Sequence, residues 1–226
     1  MYDSPKYRVD PADAEAFVQR QHHGTLVAIG DGGWPQVTIL PFVKTGDLIE
    51  LHALQADSTF AAVRQNPKVT FLVEDYLTWT PHWFQSERDA GLASLQFLAV
   101  AYECEASCST DPSDMAGALS RLLRAYEGDR SAYEPIQDGE FYGPRLRRLA
   151  TIRLHVLRAQ AKFKAGGSGS EVKRRTIAGL RARREPGDER AATVIEATLS
   201  RSRFRPPATA ARACPGAGDR SVPRGR

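Results

Sequence analysis

Short apolar, β-branched segments alternate with polar turns over the first half of the chain, a pattern typical of strands. The turns at 30–33 and 45–47 are rich in glycine and aspartate, and such short connections favour hairpins between consecutive strands. A buried strand is expected at 69–76, before an aromatic-rich segment at 77–84. The predicted strands are 25–29, 35–44, 48–53, 69–76 and 92–108, the last as a strand pair or one bent strand.

Helices are predicted where a side chain that accepts hydrogen bonds precedes a helical segment, because it satisfies backbone amides that the first turn leaves unpaired. Proline follows Asp10 and Asp111, at its favoured first helical position. A weaker helix is interrupted by a Gly-Pro pair. The predicted helices are 11–21 after Asp10, 59–66 after Asp57 or Ser58, 111–126 from Asp111, and the weaker 141–149.

A last strand, 150–164, enters a Gly/Ser loop at 166–170. Lys162 and Lys164 are two residues apart, so on a strand they point to one face. Ser168 and Glu171 have the spacing of a capping box that begins a helix. A second helix, capped by Asp188, follows the break at 185–187. Two lysines beside a glycine-rich turn and free helix amides could hold a phosphate. The residues alone favour a solvated strand end, a linker and a basic surface helix, since runs of charge are usually solvated faces.

This order of elements predicts a mainly β protein, an antiparallel sheet or small barrel with peripheral helices, instead of a doubly wound sheet. We expect a barrel domain at 1–165, a helical extension at 166–200 and a disordered basic tail at 201–226. The tail holds seven arginines against one aspartate, so the overall charge of +4 does not describe the fold, whose 200 residues sum to about −2.

Three cysteines cannot all pair with one another, which favours reduced thiols and a cytoplasmic location. The polar start and the lack of a long apolar run predict no signal peptide and no membrane span. Cys104 and Cys108 share a strand face, but no histidine cluster accompanies them, so no metal site is expected.

The sequence contains no nucleophile elbow, no zinc-protease motif and no P-loop, and its five histidines are scattered. Any chemistry is therefore expected to depend on a cofactor.

Six segments in order resemble the PaiB-type FMN-binding proteins, a family of negative transcriptional regulators with the split barrel of pyridoxamine-phosphate oxidases. The similarity extends from residue 1 to about 200. The matching segments are Met1-Tyr2 with Pro5, Val37-Thr38-Ile39-Leu40-Pro41, His52-Ala53-Leu54-Gln55-Ala56-Asp57-Ser58-Thr59-Phe60, Trp79-Thr80-Pro81-His82-Trp83-Phe84, Leu95-Gln96-Phe97-Leu98-Ala99-Val100, and Lys162-Phe163-Lys164 with the following helix.

The resemblance implies an antiparallel, FMN-binding split β-barrel with C-terminal helices, a homodimer with two flavin clefts across its interface, and a role in negative control of transcription. The apolar segment 92–100 suits such an interface, although a buried core strand explains it equally well. The cofactor-binding residues expected from the resemblance are Thr38, Leu40, His52, Gln55, Ser58, Thr59, Trp79, Lys162 and Lys164.

Two alternatives stay open. The same barrel hosts flavin-dependent oxidoreductases. A degenerate barrel acting as a binding module without flavin is favoured by Ile39, Gln55, Asp57 and Ser58, which replace histidine, arginine, asparagine and proline of the family. Nucleic acid is a weakly supported partner, since only six basic residues at 173–184 would contact a phosphate backbone.

Overall fold

A computed structural model describes residues 1, 7, 9–128 and 133–199. The predicted tail, 201–226, lies outside these residues. The strands are β1 His23–Ile29, β2 Pro35–Pro41, β3 Val43–Thr45, β4 Leu48–Leu54, β5 Lys68–Thr80, β6 Ser94–Ser109 and β7 Leu149–Lys164. The helices are α1 Pro11–Val18, α2 Ser58–Gln65, α3 Pro112–Glu127, α4 Gly143–Leu146, α5 Ser170–Arg183 and α6 Asp188–Ala197.

The seven strands form one sheet in the order β2-β1-β5-β6-β7-β4-β3, and every pair is antiparallel. The predicted mainly β fold, a split barrel with peripheral helices, is confirmed. The segment 92–108 is one long strand, β6, and the strand predicted at 35–44 is divided at Phe42 into β2 and β3.

Three predicted helix starts are confirmed by their caps. Asp10, Asp57 and Asp111 each accept a hydrogen bond from a backbone amide two residues later. The carboxylate replaces the partner that a first-turn amide lacks within its own helix. The helix predicted at 141–149 is wrong in extent, because only the four residues of α4 are helical.

Both predicted caps in the C-terminal region are wrong. No side chain caps α5, which begins at Ser170 after Gly169, instead of at a Ser168–Glu171 box. Gly166, Gly167 and Gly169 all have φ between 74° and 88°, a region open to glycine, and the chain makes its turn there. Asp188 is the first residue of α6 and bonds to other elements, as described below.

The core lies inside the barrel and is closed at one end by α1. Leu26, Phe71 and Ile152 are fully buried on the inward faces of their strands. From α1, the Phe17 ring meets the edge of Phe163, with 5.3 Å between centroids. Buried aromatic and aliphatic side chains of this kind supply most of the stabilisation of a domain.

The α5–α6 hairpin docks on the end of β5 through buried polar groups. Asp188 is fully buried and accepts hydrogen bonds from the Arg183 guanidinium, at 2.6 and 2.9 Å, and from the Thr78 hydroxyl at 2.9 Å. Gln96 bonds to the Thr80 hydroxyl and accepts from the Gly166 amide. Asp188, which the sequence predicted as a helix cap, is thus the central acceptor of a hydrogen-bond network that reaches β5.

None of the helices in the described ranges is long and apolar enough to cross a membrane.

Candidate functional site

The barrel carries an apolar surface on its outward side. Residues directly opposite one another in antiparallel strands share a face, so the register places Ile39, Thr25 and Leu72 in one row across β2, β1 and β5. Further rows continue over β6 to the end of β7. We call this surface the outer sheet face; it comprises Thr25, Val27, Val37, Ile39, Thr70, Leu72, Glu74, Tyr76, Trp79, Leu95, Phe97, Ala99, Ala101, Gln160, Lys162 and Lys164, and the Glu74 carboxylate lies in the same row as Lys162.

Large apolar side chains on this face are open to solvent. Ile39 is 67% exposed, Val37 61%, Tyr76 55% and Trp79 49%, whereas Leu26 on the inward side is fully buried. Exposed apolar side chains clustered on one face, here with one exposed carboxylate, Glu74, among them, mark interaction or ligand sites. The sequence contains a signal for this exposed apolar surface, because residues 37–40 are apolar on both faces of the strand except for one threonine.

Lys162 and Lys164 both project from the outer sheet face. They lie opposite Ala99 and Phe97, and Phe97 is in turn paired with Tyr76 on β5. The Lys162 ammonium stands 5.4 Å from the centroid of the Tyr7 ring. The two lysines therefore lie on the same face as the exposed Tyr76 ring, and this combination of positive charge and aromatic surface suits a flat anionic ligand.

Among the predicted phosphate donors at the start of α2, the Gln55 and Ser58 side chains and the Thr59 amide are engaged within the protein. The Gln55 amide donates to the carbonyl oxygens of Arg147 and Leu149 at 3.0 and 2.8 Å. The Ser58 hydroxyl donates to Gln36, and the Thr59 amide donates to the Asp57 carboxylate. This donor set carries one negative charge and no positive one, so it does not fit a phosphate.

Thr38 and Leu40 have their side chains on the inward side of β2, because they lie opposite Leu26 and Gly24. At these two positions only the backbone of β2, an edge strand of the sheet, is available to a ligand on the outer sheet face. An edge strand presents unpaired N–H and C=O groups.

His52 lies on the side of β4 that α3 covers. Glu50, two residues earlier on the same face, receives two hydrogen bonds from Arg121 of α3. Burial lowers the pKa of His52, which favours its neutral form. This histidine supports packing beside α3 and does not reach the outer sheet face.

The predicted residues thus fall into separate groups within one copy of the chain. Four strand intervals separate β2 from β7. At about 4.8 Å each, the path along the curved sheet from β2 to Lys162 is roughly 20 Å. The start of α2 follows the other end of β7, since Leu54 pairs with Leu149. The outer sheet face fits a flavin by its aromatic groups and lysines, whereas the turn before α2 does not.

Comparison with known families gives one match. A family model described as "Putative FMN-binding domain" matches residues 1–162. The match covers the barrel and ends two residues before the end of β7, so it excludes α5 and α6. It supports a flavin cofactor, and FMN is the flavin that fits the family. The chain matches no functionally curated protein sequence.

Solved structures share the fold at low sequence identity. The flavocytochrome Anf3 of Azotobacter vinelandii is 18% identical with a TM-score of 0.59, covering 74% of each chain. An FAD and heme binding protein of Mycobacterium smegmatis is 14% identical with a TM-score of 0.56, over 74% of this chain and 78% of that one. A conserved hypothetical protein of Mycobacterium tuberculosis is 18% identical with a TM-score of 0.53, over 76% and 99%.

Proposed function

The chain belongs to the family of FMN-binding domains, and from that premise we propose that it holds FMN on the outer sheet face between two copies of itself. The observation that carries the proposal is the exposed apolar surface that ends at Lys162 and Lys164. A homodimer buries that surface and supplies the second wall that a flat sheet face lacks.

In this arrangement the two lysines hold the phosphate by charge. Trp79 and its strand neighbour Leu95 offer an apolar wall for the ring system. The backbone of β2 beside Thr38 and Leu40 provides hydrogen-bonding groups for the ring edge. A bound flavin supplies one- and two-electron redox chemistry, and the protein binds, orients and shields it.

The part of the lysines is tested by comparing FMN with riboflavin, which lacks the phosphate. Quenching of flavin fluorescence on titration gives both affinities. We expect wild-type protein to bind FMN more tightly, and Lys162→Ala/Lys164→Ala to remove that preference while keeping riboflavin affinity. Lys68→Ala, an exposed lysine at the other end of β5, is the control. Equal affinity for both flavins in wild type contradicts the lysine assignment.

The two-copy arrangement is tested by mass. Val37→Glu/Ile39→Glu places charge in the apolar surface and is expected to give monomers with weakened FMN binding, by light scattering and flavin titration. Phe141→Glu, at a 60% exposed side chain outside this face, is the matched control. A monomeric wild type, or full FMN affinity in the monomeric variant, contradicts the proposal.

Negative control of transcription is the biological role that the PaiB-type resemblance adds to this proposal, in the cytoplasm, which the reduced cysteines favour. The basic helix gives direct DNA contact little support: Arg174 and Arg175 pair with Glu171, and Arg183 is bound in the Asp188 network. Retention on DNA that weakens steeply with salt would be evidence for direct contact.

A further inference from the structure

A cavity of about 260 Å³ lies on the inward side of the sheet, where the barrel is split, and it is open to solvent beside the exposed residues Pro11, Asp47 and Ala159. Pairing between β4 and β7 stops at Leu48 and His155, and β7 continues to Lys164 paired with β6. Pro11, Ala14 and Glu15 of α1 line one side of the cavity.

The cavity wall is mainly apolar. Its apolar lining comprises Val9, Pro11, Ala14, Val100, Ala159 and Ala161. Apolar cavities of about 150 Å³ are large enough to bind benzene, so this one has the size for a substituted single ring. Mainly apolar walls with a few placed polar groups are the usual form of a small-molecule site.

One polar group on the wall has no partner. Tyr102 is 3% exposed and lines the cavity, and its hydroxyl makes no hydrogen bond within the described ranges. The hydroxyl oxygen is not among the fully buried unsatisfied atoms of the described residues, so it is open to the cavity and can reach a molecule there. Burial also raises the pKa of Tyr102, so the hydroxyl is protonated and able to donate.

The charged groups at the cavity do not attract an anion. The Lys44 ammonium donates to the Glu15 carboxylate at 2.7 Å and to the Gly46 carbonyl at 2.5 Å, and lies 5.9 Å from the centroid of the Tyr102 ring. Asp47 adds a further carboxylate to the lining. The lining therefore has a net negative charge with its one cation already paired, which disfavours an anionic ligand, and the mainly apolar wall favours a neutral one.

We propose that this cavity binds a small, neutral, mainly apolar molecule whose carbonyl or hydroxyl oxygen accepts a hydrogen bond from Tyr102. The site is independent of the flavin surface, because Val100 and Tyr102 point to the opposite side of β6 from Phe97 and Ala99. The proposed ligand binding in this cavity can therefore be tested independently of the proposed FMN binding.

The test uses the full chain and two matched probes followed by fluorine NMR. 4-Fluoroacetophenone carries an acceptor oxygen, and 4-fluorotoluene does not. Tyr102→Phe removes only the hydroxyl and leaves the ring in place. It is expected to weaken 4-fluoroacetophenone binding about three- to tenfold, the range of one net hydrogen bond, and to leave 4-fluorotoluene binding unchanged.

Ala161→Leu fills the cavity and is expected to remove saturable binding of both probes, while saturating FMN leaves their binding to wild type unchanged. No saturable binding of 4-fluoroacetophenone to wild type overturns the proposal. Equal effects of Tyr102→Phe on both probes, or displacement of the probes by FMN, also overturn it. Because Tyr102→Phe is nearly isosteric, the test holds even where Ala161→Leu fails to fold.

Discussion

Replacing Arg183 by alanine tests whether the buried network fixes the C-terminal hairpin to the barrel. Besides its two bonds to Asp188, the guanidinium donates to the Thr78 hydroxyl at 3.0 Å and to the Trp79 carbonyl at 2.8 Å. It also lies 5.5 Å from the centroid of the Phe84 ring. Arg183→Ala removes all of these contacts at once and leaves Asp188 in place.

The expected cost follows from the carboxylate that remains. Breaking a buried ion pair by removing one partner typically costs about 3–5 kcal/mol, since the other charge stays buried without compensation. Asp188 keeps two donors, the Glu185 amide and the Thr78 hydroxyl, so we take the lower end, about 3 kcal/mol. For a chain of this size that corresponds to a fall in Tm of about 6–12 °C.

Thermal unfolding followed by circular dichroism, together with limited proteolysis of α5 and α6, measures the effect. The matched control is Arg181→Ala. Arg181 lies on the same helix and pairs with Glu189 and Glu196, but its side chain is 41% exposed, and exposed pairs contribute little. If Arg183→Ala lowers Tm no more than Arg181→Ala, the network does not hold the hairpin and the reasoning is refuted.

The same network predicts a pH dependence. Hydrogen bonds from Arg183 hold the pKa of Asp188 below its usual range, against the opposing effect of burial. A carboxyl whose pKa is depressed on folding stabilises the fold above its unfolded pKa, and that stability is lost as pH falls through the folded pKa. The Tm difference between wild type and Arg183→Ala should therefore narrow below about pH 4; a constant difference would contradict this assignment.

Two further predictions concern packing and thiol chemistry. Gly179→Ala should lower Tm, because a Cβ there would stand 2.5 Å from the Phe84 ring. Overpacking costs about 1–3 kcal/mol, which exceeds the helix-propensity gain of up to about 1 kcal/mol. The control is Gly117→Ala, whose Cβ would meet only the Arg121 side chain and which should leave Tm unchanged or raise it. Burial raises the pKa of the Cys104 thiol to about 12 and also raises the pKa of Cys108, but only Cys108 is exposed. Mass-spectrometric mapping after disulfide-reagent labelling at pH 8 should therefore find Cys108 modified and Cys104 modified only after denaturation. Fast labelling of Cys104 in the native protein would contradict its burial.

The local signals of the sequence were sufficient for most of the fold. Asp10, Asp57 and Asp111 cap helices by contacts within two residues, and a sequence pattern contains that information. Asp188 failed as a cap because its partners include Thr78, 110 residues away. Side-chain chemistry alone does not show whether an aspartate will bond to a nearby amide or to a distant guanidinium.

The residue types of the proposed flavin site could be inferred from the sequence, whereas their arrangement could not. The shared face of Lys162 and Lys164 followed from their spacing, and the register agrees with it. The engagement of Gln55 with the carbonyls of Arg147 and Leu149 depends on a contact across more than 90 residues. Tyr102 was missed because an aromatic residue in a strand is ordinarily core, and only the cavity beside it distinguishes it.

The distance in sequence between the barrel and its C-terminal partners also has a consequence for synthesis. Thr78 and Asp188 are 110 residues apart, and Gln96 precedes Gly166 by 70. At about 5–20 residues per second, a ribosome takes roughly 5–20 s to make the chain between Thr78 and Asp188. Throughout that interval the nascent β5 and β6 display polar groups and apolar surface that the finished protein covers, a period in which a chaperone or a second nascent chain has access to them.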